Sequence, residues 1–201
     1  MALIFTPQGN TTANYVDGSY DSIYVRTHKT AFLTVAVATA LGTAASTDVS
    51  YTALDNCKVG TFANMVDTTI TATASTSWIF CNIGDQEAGA LTCAPTPNKI
   101  SKQDGNEVTL STKYELKSTP LQMTADDETI YNTINDAGAV DILVKAGGYF
   151  HVYPNIVLSY DQTDTFDPTT VLKAGLTGSR TIGRNDSGWQ ARPRWMAANP
   201  S

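Results

Sequence analysis

The side chains of this 201-residue chain that could do chemistry are few and scattered. The densest acidic run is Asp161-Gln-Thr-Asp164-Thr-Phe-Asp167-Pro. Its carboxylates could hold a calcium ion, but the run lacks the turn glycine and closing glutamate of an EF-hand loop. A solvated hairpin loop is the simpler reading. Asp126, Asp127 and Glu128 could do acid–base work. They follow Thr124 in the [ST]-x-x-[DE] form of a helix start, where carboxylates suit the positive end of the helix dipole. His28 and His151 stand in no recognisable catalytic signature, and His151, between Phe150 and Val152, reads as a hydrogen-bonded strand residue. The sequence contains no Gly-x-Ser-x-Gly elbow, P-loop or Gly-x-Gly-x-x-Gly turn. Cys57, Cys81 and Cys93 are odd in number, include no C-x-x-C pair and lie far from the histidines. Neither a disulfide framework within one chain nor a zinc site is expected. The chain is therefore expected not to be an enzyme, with no catalytic residue, metal or cofactor assigned.

One polar cluster has character. Arg180, Arg184, Arg192 and Arg194 interleave with Trp189 and Trp195 near the C-terminal end. Such a cluster could grip nucleic acid by phosphate pairing and stacking, or it could anchor an arm on a neighbouring subunit, where Trp and Arg are the usual hot-spot residues. A formal net charge of −6 favours the arm, because a nucleic-acid clamp needs a basic field. Charged residues make up only 16% of the chain, against roughly 25% in an ordinary soluble domain. Surfaces so poor in ions are cheaply buried against a partner. The opening residues, Met1 to Pro7, show neither a basic nor an apolar leader segment, and no run is long enough to span a bilayer, so no export signal and no membrane partner are expected.

The elements that must position these residues read mainly as strands. Leu3–Thr6, Ser22–Arg26 and Phe32–Leu41 are expected strands; in the last, Val35, Val37, Thr39 and Leu41 share one face and alanines the other. A helix is the alternative there, since alanine is the best helix former. Residues 42–103 are rich in Thr, Ser, Ala and Asn, with short strands expected at Thr68–Thr73 and Ser77–Ile83 and turns at Pro95-Thr-Pro97 and Gln103-Asp-Gly105-Asn. Beyond them, Val108–Lys117 alternates as a strand. A short helix spans Ala125–Asp136, with Ile130 and Ile134 as its buried stripe and Gly138 as its left-handed stop. Val140–Lys145 and Tyr149–Val157 flank Gly147-Gly148 as a hairpin, and Thr170–Thr177 is a last strand closing at Gly178.

Read together, Val108-Thr-Leu-Ser-Thr-Lys-Tyr, Asp127-Glu-Thr-Ile-Tyr-Asn-Thr-Ile-Asn, Val140-Asp-Ile-Leu-Val, Tyr153-Pro-Asn-Ile-Val-Leu-Ser-Tyr and Val171-Leu-Lys-Ala-Gly-Leu-Thr-Gly stand in an order that resembles the tail tube proteins of long-tailed bacteriophages. The resemblance lies in element order over Glu107–Gly183 and contains no diagnostic signature. It implies a β-sandwich flanked by one short helix, in a single domain over residues 1–201. It also implies self-assembly into rings, usually hexameric, stacked as a tube through which DNA passes as cargo. The partners would be further copies of the chain and other virion proteins, with assembly in the host cytoplasm and residence in the virion. A capsid decoration or cement protein and a carbohydrate-binding β-sandwich are the alternatives.

Residues 42–103 would be an assembly insertion and 179–201 an extended C-terminal arm, since neither sustains an apolar period able to offset its ordering entropy. Phe62, Met65, Trp78 and Phe80 in the first, and Trp189, Arg192, Arg194 and Trp195 in the second, are the expected anchors on a partner subunit.

Overall fold

The structure is a computed structural model that describes residues 20–40, 47–56, 65–67, 78–82, 91–119, 132, 135–136, 138–146, 149–162 and 174–198. These residues are mainly β, as the alternating segments require. The strands are β1 (Tyr20–Thr27), β2 (Val66–Asp67), β3 (Phe80–Asn82), β4 (Thr92–Ser101), β5 (Glu107–Ser118), β6 (Ala139–Ala146), β7 (Tyr149–Gln162), β8 (Ala174–Gly183) and β9 (Trp195–Ala198). They join in one sheet of order β2-β3-β1-β6-β7-β8-β5-β4, with β9 added on β7. Every pairing is antiparallel except that of β2 with β3. The layers expected of a sandwich are thus parts of one hydrogen-bonded sheet, continuous through β7.

An apolar cluster lies on each side of the central strands. Val140, Ile142 and Val144 of β6 join Ile23, Val25, Ile156, Leu158, Leu176 and Leu116 in one cluster. Leu143, from the other face of β6, joins Phe150 and Val152 under a cover made by Phe32, Leu33, Ala38, Val49, Tyr51 and Leu54. A strand buried on both faces must read as a nearly unbroken apolar run, and Val140-Asp-Ile-Leu-Val144 does so except at Asp141.

A bulge in β7 reconciles the two faces. Val140 pairs with Ile156 and Ile142 with Tyr153, so Pro154 and Asn155 together oppose Asp141. Asn155 adopts a left-handed φ of 57°, a conformation asparagine tolerates better than most residues. Strict alternation from Tyr153 would turn Ile156 and Leu158 to the wrong side. The extra residue returns both to the cluster that holds Tyr153. The bulge also divides the strand's partners, for β9 pairs Tyr149–Val152 and β8 pairs Val157–Gln162.

Several expectations are corrected. Phe32–Leu41 is not a strand: Leu33 makes an isolated bridge to Val49, and Val35–Ala40 forms helix α1. The Val35 N–H donates to Asp48 Oδ1 (2.8 Å) and the Val37 N–H to Thr34 Oγ1 (3.4 Å), so side-chain oxygens satisfy first-turn donors. Only Ala38 of that helix is buried, which leaves no apolar face for a strand to rest on a sheet. β8 does not close at Gly178 but continues to Gly183. Gly178 is there for space, because a Cβ would lie 2.7 Å from both Ile156 Cγ2 and Leu158 Cδ2.

The segment beginning at Ser179 is not an extended arm either. It completes β8, forms a 3-10 turn at Gly188–Ala191 and returns as β9 on β7. Of the expected helix, residues 132, 135 and 136 are described and helical, and Gly138 has the expected positive φ, 75°. The expected strands Leu3–Thr6 and Thr68–Thr73 lie outside the described residues.

Candidate assembly surface

Among the described residues, the longest unbroken run of exposed side chains, residues 92–107, lies in the β4–β5 hairpin. It crosses the boundary at residue 103 where the insertion was expected to end: Gln103-Asp-Gly105-Asn is its tip, with Gly105 at a φ of 82°. Every residue of β4 is exposed, and β4 is the last strand of the sheet, bonded to β5 alone. The ladder between β5 and β8 runs from Ser118 to Ser111 and gains one further bond, Arg184 N–H to Leu110 O (3.0 Å). Beyond that point the hairpin projects ~10 Å on two strands alone. Leu116, buried, and Leu91, half-buried, tie its base into the core.

A second bulge marks the projecting part. Asn98 pairs with Ser111 and Lys99 with Thr109, which leaves Leu110 as the added residue. Beyond it Ile100 and Val108 are direct cross-strand partners and share a face. Ile100 is 49% exposed and Leu110 41%; Val157 of β7, at 55%, is the other exposed large apolar side chain among the described residues. Lys99 and Glu107 form an exposed ion pair at 2.9 Å on the opposite face.

What holds the hairpin to the body is a sheet locked by a buried charge cluster. Arg26 and Asp141 are register partners on β1 and β6, and both side chains are fully buried. Arg26 Nε donates to Asp141 Oδ2 (3.1 Å), Nη1 to the Phe32 and Trp78 carbonyls (2.9 and 3.0 Å), and Nη2 to the Tyr51 hydroxyl (3.1 Å). The carboxylate also receives His28 Nδ1 (2.7 Å), the Lys29 N–H (3.2 Å), the Asn155 N–H of the bulge (3.0 Å) and the Tyr51 hydroxyl.

Burial alone would raise the Asp141 carboxyl. The His28 hydrogen bond, the Arg26 charge and the Tyr51 hydroxyl outweigh it and hold the group below the ordinary carboxylate value. Burial and the neighbouring carboxylate push the Tyr51 phenol upward, so it stays protonated and donates. The guanidinium of Arg26 lies over the Phe80 ring at 4.4 Å and the Phe32 ring at 5.2 Å. A second clamp holds the C-terminal segment. Arg180, buried on β8, donates to the carbonyls of Pro154 (2.9 Å), Gln190 (2.8 Å) and Arg192 (3.3 Å), and stacks on Trp189 at 5.2 Å.

These contacts relocate the anchors expected on a partner. Met65 and Phe80 are buried in this chain's own core, where their apolar volume is already used. Trp78 is half-buried under Arg26 and Lys29. Trp189 packs on Tyr51 at 5.0 Å and on His28 at 5.8 Å. Arg192 and Arg194 are exposed. Trp195 enters β9 opposite Val152, and Phe62 lies outside the described residues.

Of the other candidates, His151 is buried in β7 opposite Val144, and Cys93 is an exposed free thiol. Asp161 is exposed at the end of β7, while Asp126, Asp127, Glu128, Asp164 and Asp167 lie outside the described residues. Among the described residues no three His, Cys, Asp or Glu side chains group as a metal site, and no helix is long and apolar enough to cross a membrane.

No protein-family model and no curated protein matches the chain. Among solved structures, part of the chain is similar to a chain of the virion of a native gene transfer agent particle (14% identity, TM-score 0.36, 50% of this chain and 82% of that one). It is also similar to a chain in the tail of an empty gene transfer agent particle of C6 symmetry (14%, 0.38, 54% and 86%). A third similarity is to a chain of the six-fold symmetrised baseplate of the anti-feeding prophage (11%, 0.34, 48% and 81%).

Proposed function

We propose that this chain is a structural subunit of a virion tail that assembles with copies of itself into stacked rings around a DNA conduit. The observation that carries the proposal is the β4–β5 hairpin, an arm that projects beyond the ladder on β8 with exposed large apolar side chains. An isolated two-stranded ribbon is marginal in water, and this one gains most by packing on a neighbour. The order β5, helical residues, β6, β7, β8 is also the order on which the resemblance to tail tube proteins rests.

The role proposed is structural, not catalytic. The His28–Asp141 pair has the form of an acid–base dyad, but its carboxylate is spent on Arg26, Tyr51 and backbone donors within the fold. In the same reading the rings are hexameric, DNA is cargo that an acidic chain does not grip, and the subunit resides in the virion after assembly in the host cytoplasm. Negative-stain microscopy and sedimentation of the purified protein over a range of concentrations test it. Stacked rings or tubes are the expected result, and a protein that stays monomeric at every concentration overturns it.

A further inference from the structure

The C-terminal segment is held to the body at the point where the sheet divides. The first half of β7 pairs with β9 and the second with β8, so a fork opens beside the bulge at Pro154 and Asn155. Arg180 of β8, 8% exposed, fills that fork. Its Nη1 donates to Pro154 O (2.9 Å) and Arg192 O (3.3 Å) and its Nη2 to Gln190 O (2.8 Å), while the guanidinium lies 5.2 Å from the Trp189 ring. One side chain thus ties both branches of the fork together.

The two buried arginines differ in what they would lose. Arg26 has a carboxylate on the neighbouring strand, and parting that pair would strand a charge inside the core. Arg180 donates to carbonyl oxygens, and among the described residues no carboxylate pairs with it. Burial lowers its pKa, and the charges of Asp186 and Asp141 oppose that from farther off. Two of its three carbonyls belong to the segment it holds. If that segment lifts away, water reaches the guanidinium and both of those carbonyls, and no ion pair is broken. The polar side of closing is therefore close to balanced.

Other ties are few among the described side chains. No residue of the 3-10 turn Gly188–Ala191 is buried, and Gln190, Ala191, Arg192 and Arg194 are exposed. Trp189, half-buried, packs on Tyr51 and His28 at the side of the charge cluster. β9 adds four residue pairs at the edge of β7. The pivot is also defined. The turn after β8 is closed on itself, for the Gly183 N–H donates to Asp186 Oδ2 (2.6 Å) and the Asp186 N–H to Gly183 O (3.1 Å). Beyond it Ser187 is extended, and Gly188 has a φ of 63° with nothing within 4 Å of its Cβ position.

We infer that residues 188–198 form a strap that opens as one unit about Gly188, with Arg180 as its pin. Opening bares the outer edge of β7 at Tyr149–Val152 and the Tyr51–His28 side of the charge cluster, while the rest of the sheet stays paired. Closed, the strap withholds that edge from any other strand. The inference concerns the single chain and does not depend on the assembly proposed above. Hydrogen exchange, read residue by residue in a urea series below the unfolding transition, tests it. The amides joining β7 to β9 exchange through an opening about tenfold or more as frequent as the one that frees the β1–β6 amides, and with a weaker dependence on urea. Arg180→Lys keeps the charge but cannot span both branches of the fork. It speeds exchange at the β7–β9 amides by a further factor of about ten and leaves the β1–β6 amides unchanged. Equal protection and equal urea dependence in the two ladders of the wild-type chain overturn the strap, whatever the variant does. A variant that loosens both ladders alike, or neither, overturns Arg180 as the pin.

Discussion

The body around Asp141 and the β4–β5 hairpin treat polar groups in opposite ways. In the body, one buried carboxylate takes donors from β1, the turn after it, Tyr51 of the 3-10 segment Tyr51–Asn56 and the bulge in β7. In the hairpin, ion pairs such as Lys99–Glu107 stand in solvent, and apolar side chains are exposed beside them. The contrast teaches where the polar groups are used: in the body they lock one strand to the next, and at the projecting end of the hairpin they stand in solvent beside exposed apolar side chains.

The largest expected effect breaks the body. Asp141→Asn leaves the Arg26 guanidinium buried without its counter-charge and should cost ~3–5 kcal/mol, a large share of the roughly 5–15 kcal/mol that holds a domain together. Urea unfolding followed by far-UV circular dichroism measures it. If the loss is below about 1 kcal/mol, the cluster is not the lock described. Gly178→Ala comes next, at ~1–3 kcal/mol, because the new methyl would meet Ile156 and Leu158 at 2.7 Å. A melt unchanged by it would mean that β7 and β8 separate easily.

Acid sharpens the comparison further. Asp141 is held below its unfolded value of roughly 3.9, so the unfolded chain takes up the proton first. Its contribution is complete above that value and is lost as pH falls through the lower, folded one. Urea midpoints should therefore drop on acidification below about pH 4, and Asp141→Asn should flatten that part of the profile. The smallest effect belongs to the hairpin. Lys99→Ala should change stability by no more than ~0.5 kcal/mol, and a larger loss would show that the arm is part of the cooperative core.

Much of this fold was legible from alternation. β1, β5, β6 and β7 lie where Ser22–Arg26, Val108–Lys117, Val140–Lys145 and Tyr149–Val157 were expected, because one or both faces of each rest on apolar neighbours. β4 was not legible. It is exposed throughout, so nothing selects an apolar period along Thr92–Ser101, and its prolines read as turns when they mark an edge. The alanines of α1 satisfy a helix and a strand equally, and the capping contacts from Thr34 and Asp48 decide between them.

The charge cluster was missed for a different reason. Arg26 shares β1 with Asp21 and Asp141 shares β6 with Lys145, and only the register of β1 on β6 makes Arg26 and Asp141 partners. A lone Asp inside Val140-Asp-Ile-Leu-Val is the one local signal that could have pointed there, since a buried carboxylate requires a donor. Likewise Arg180 looks like its exposed neighbours Arg184 and Arg192 until β8 is seen to carry it inward.

The sequence distance across the Arg26–Asp141 pair has a consequence in time. Those residues are 115 apart, so the body closes only after a long loop has been gathered. The hairpin needs contacts only between neighbours in sequence, and ribbons of that kind form in roughly 1–10 μs. During synthesis and folding the arm therefore pairs and parts many times, solvent-bathed, while the surfaces around it, in its own chain and in others, are still unfinished. That interval is when a strand edge without prolines would be most dangerous.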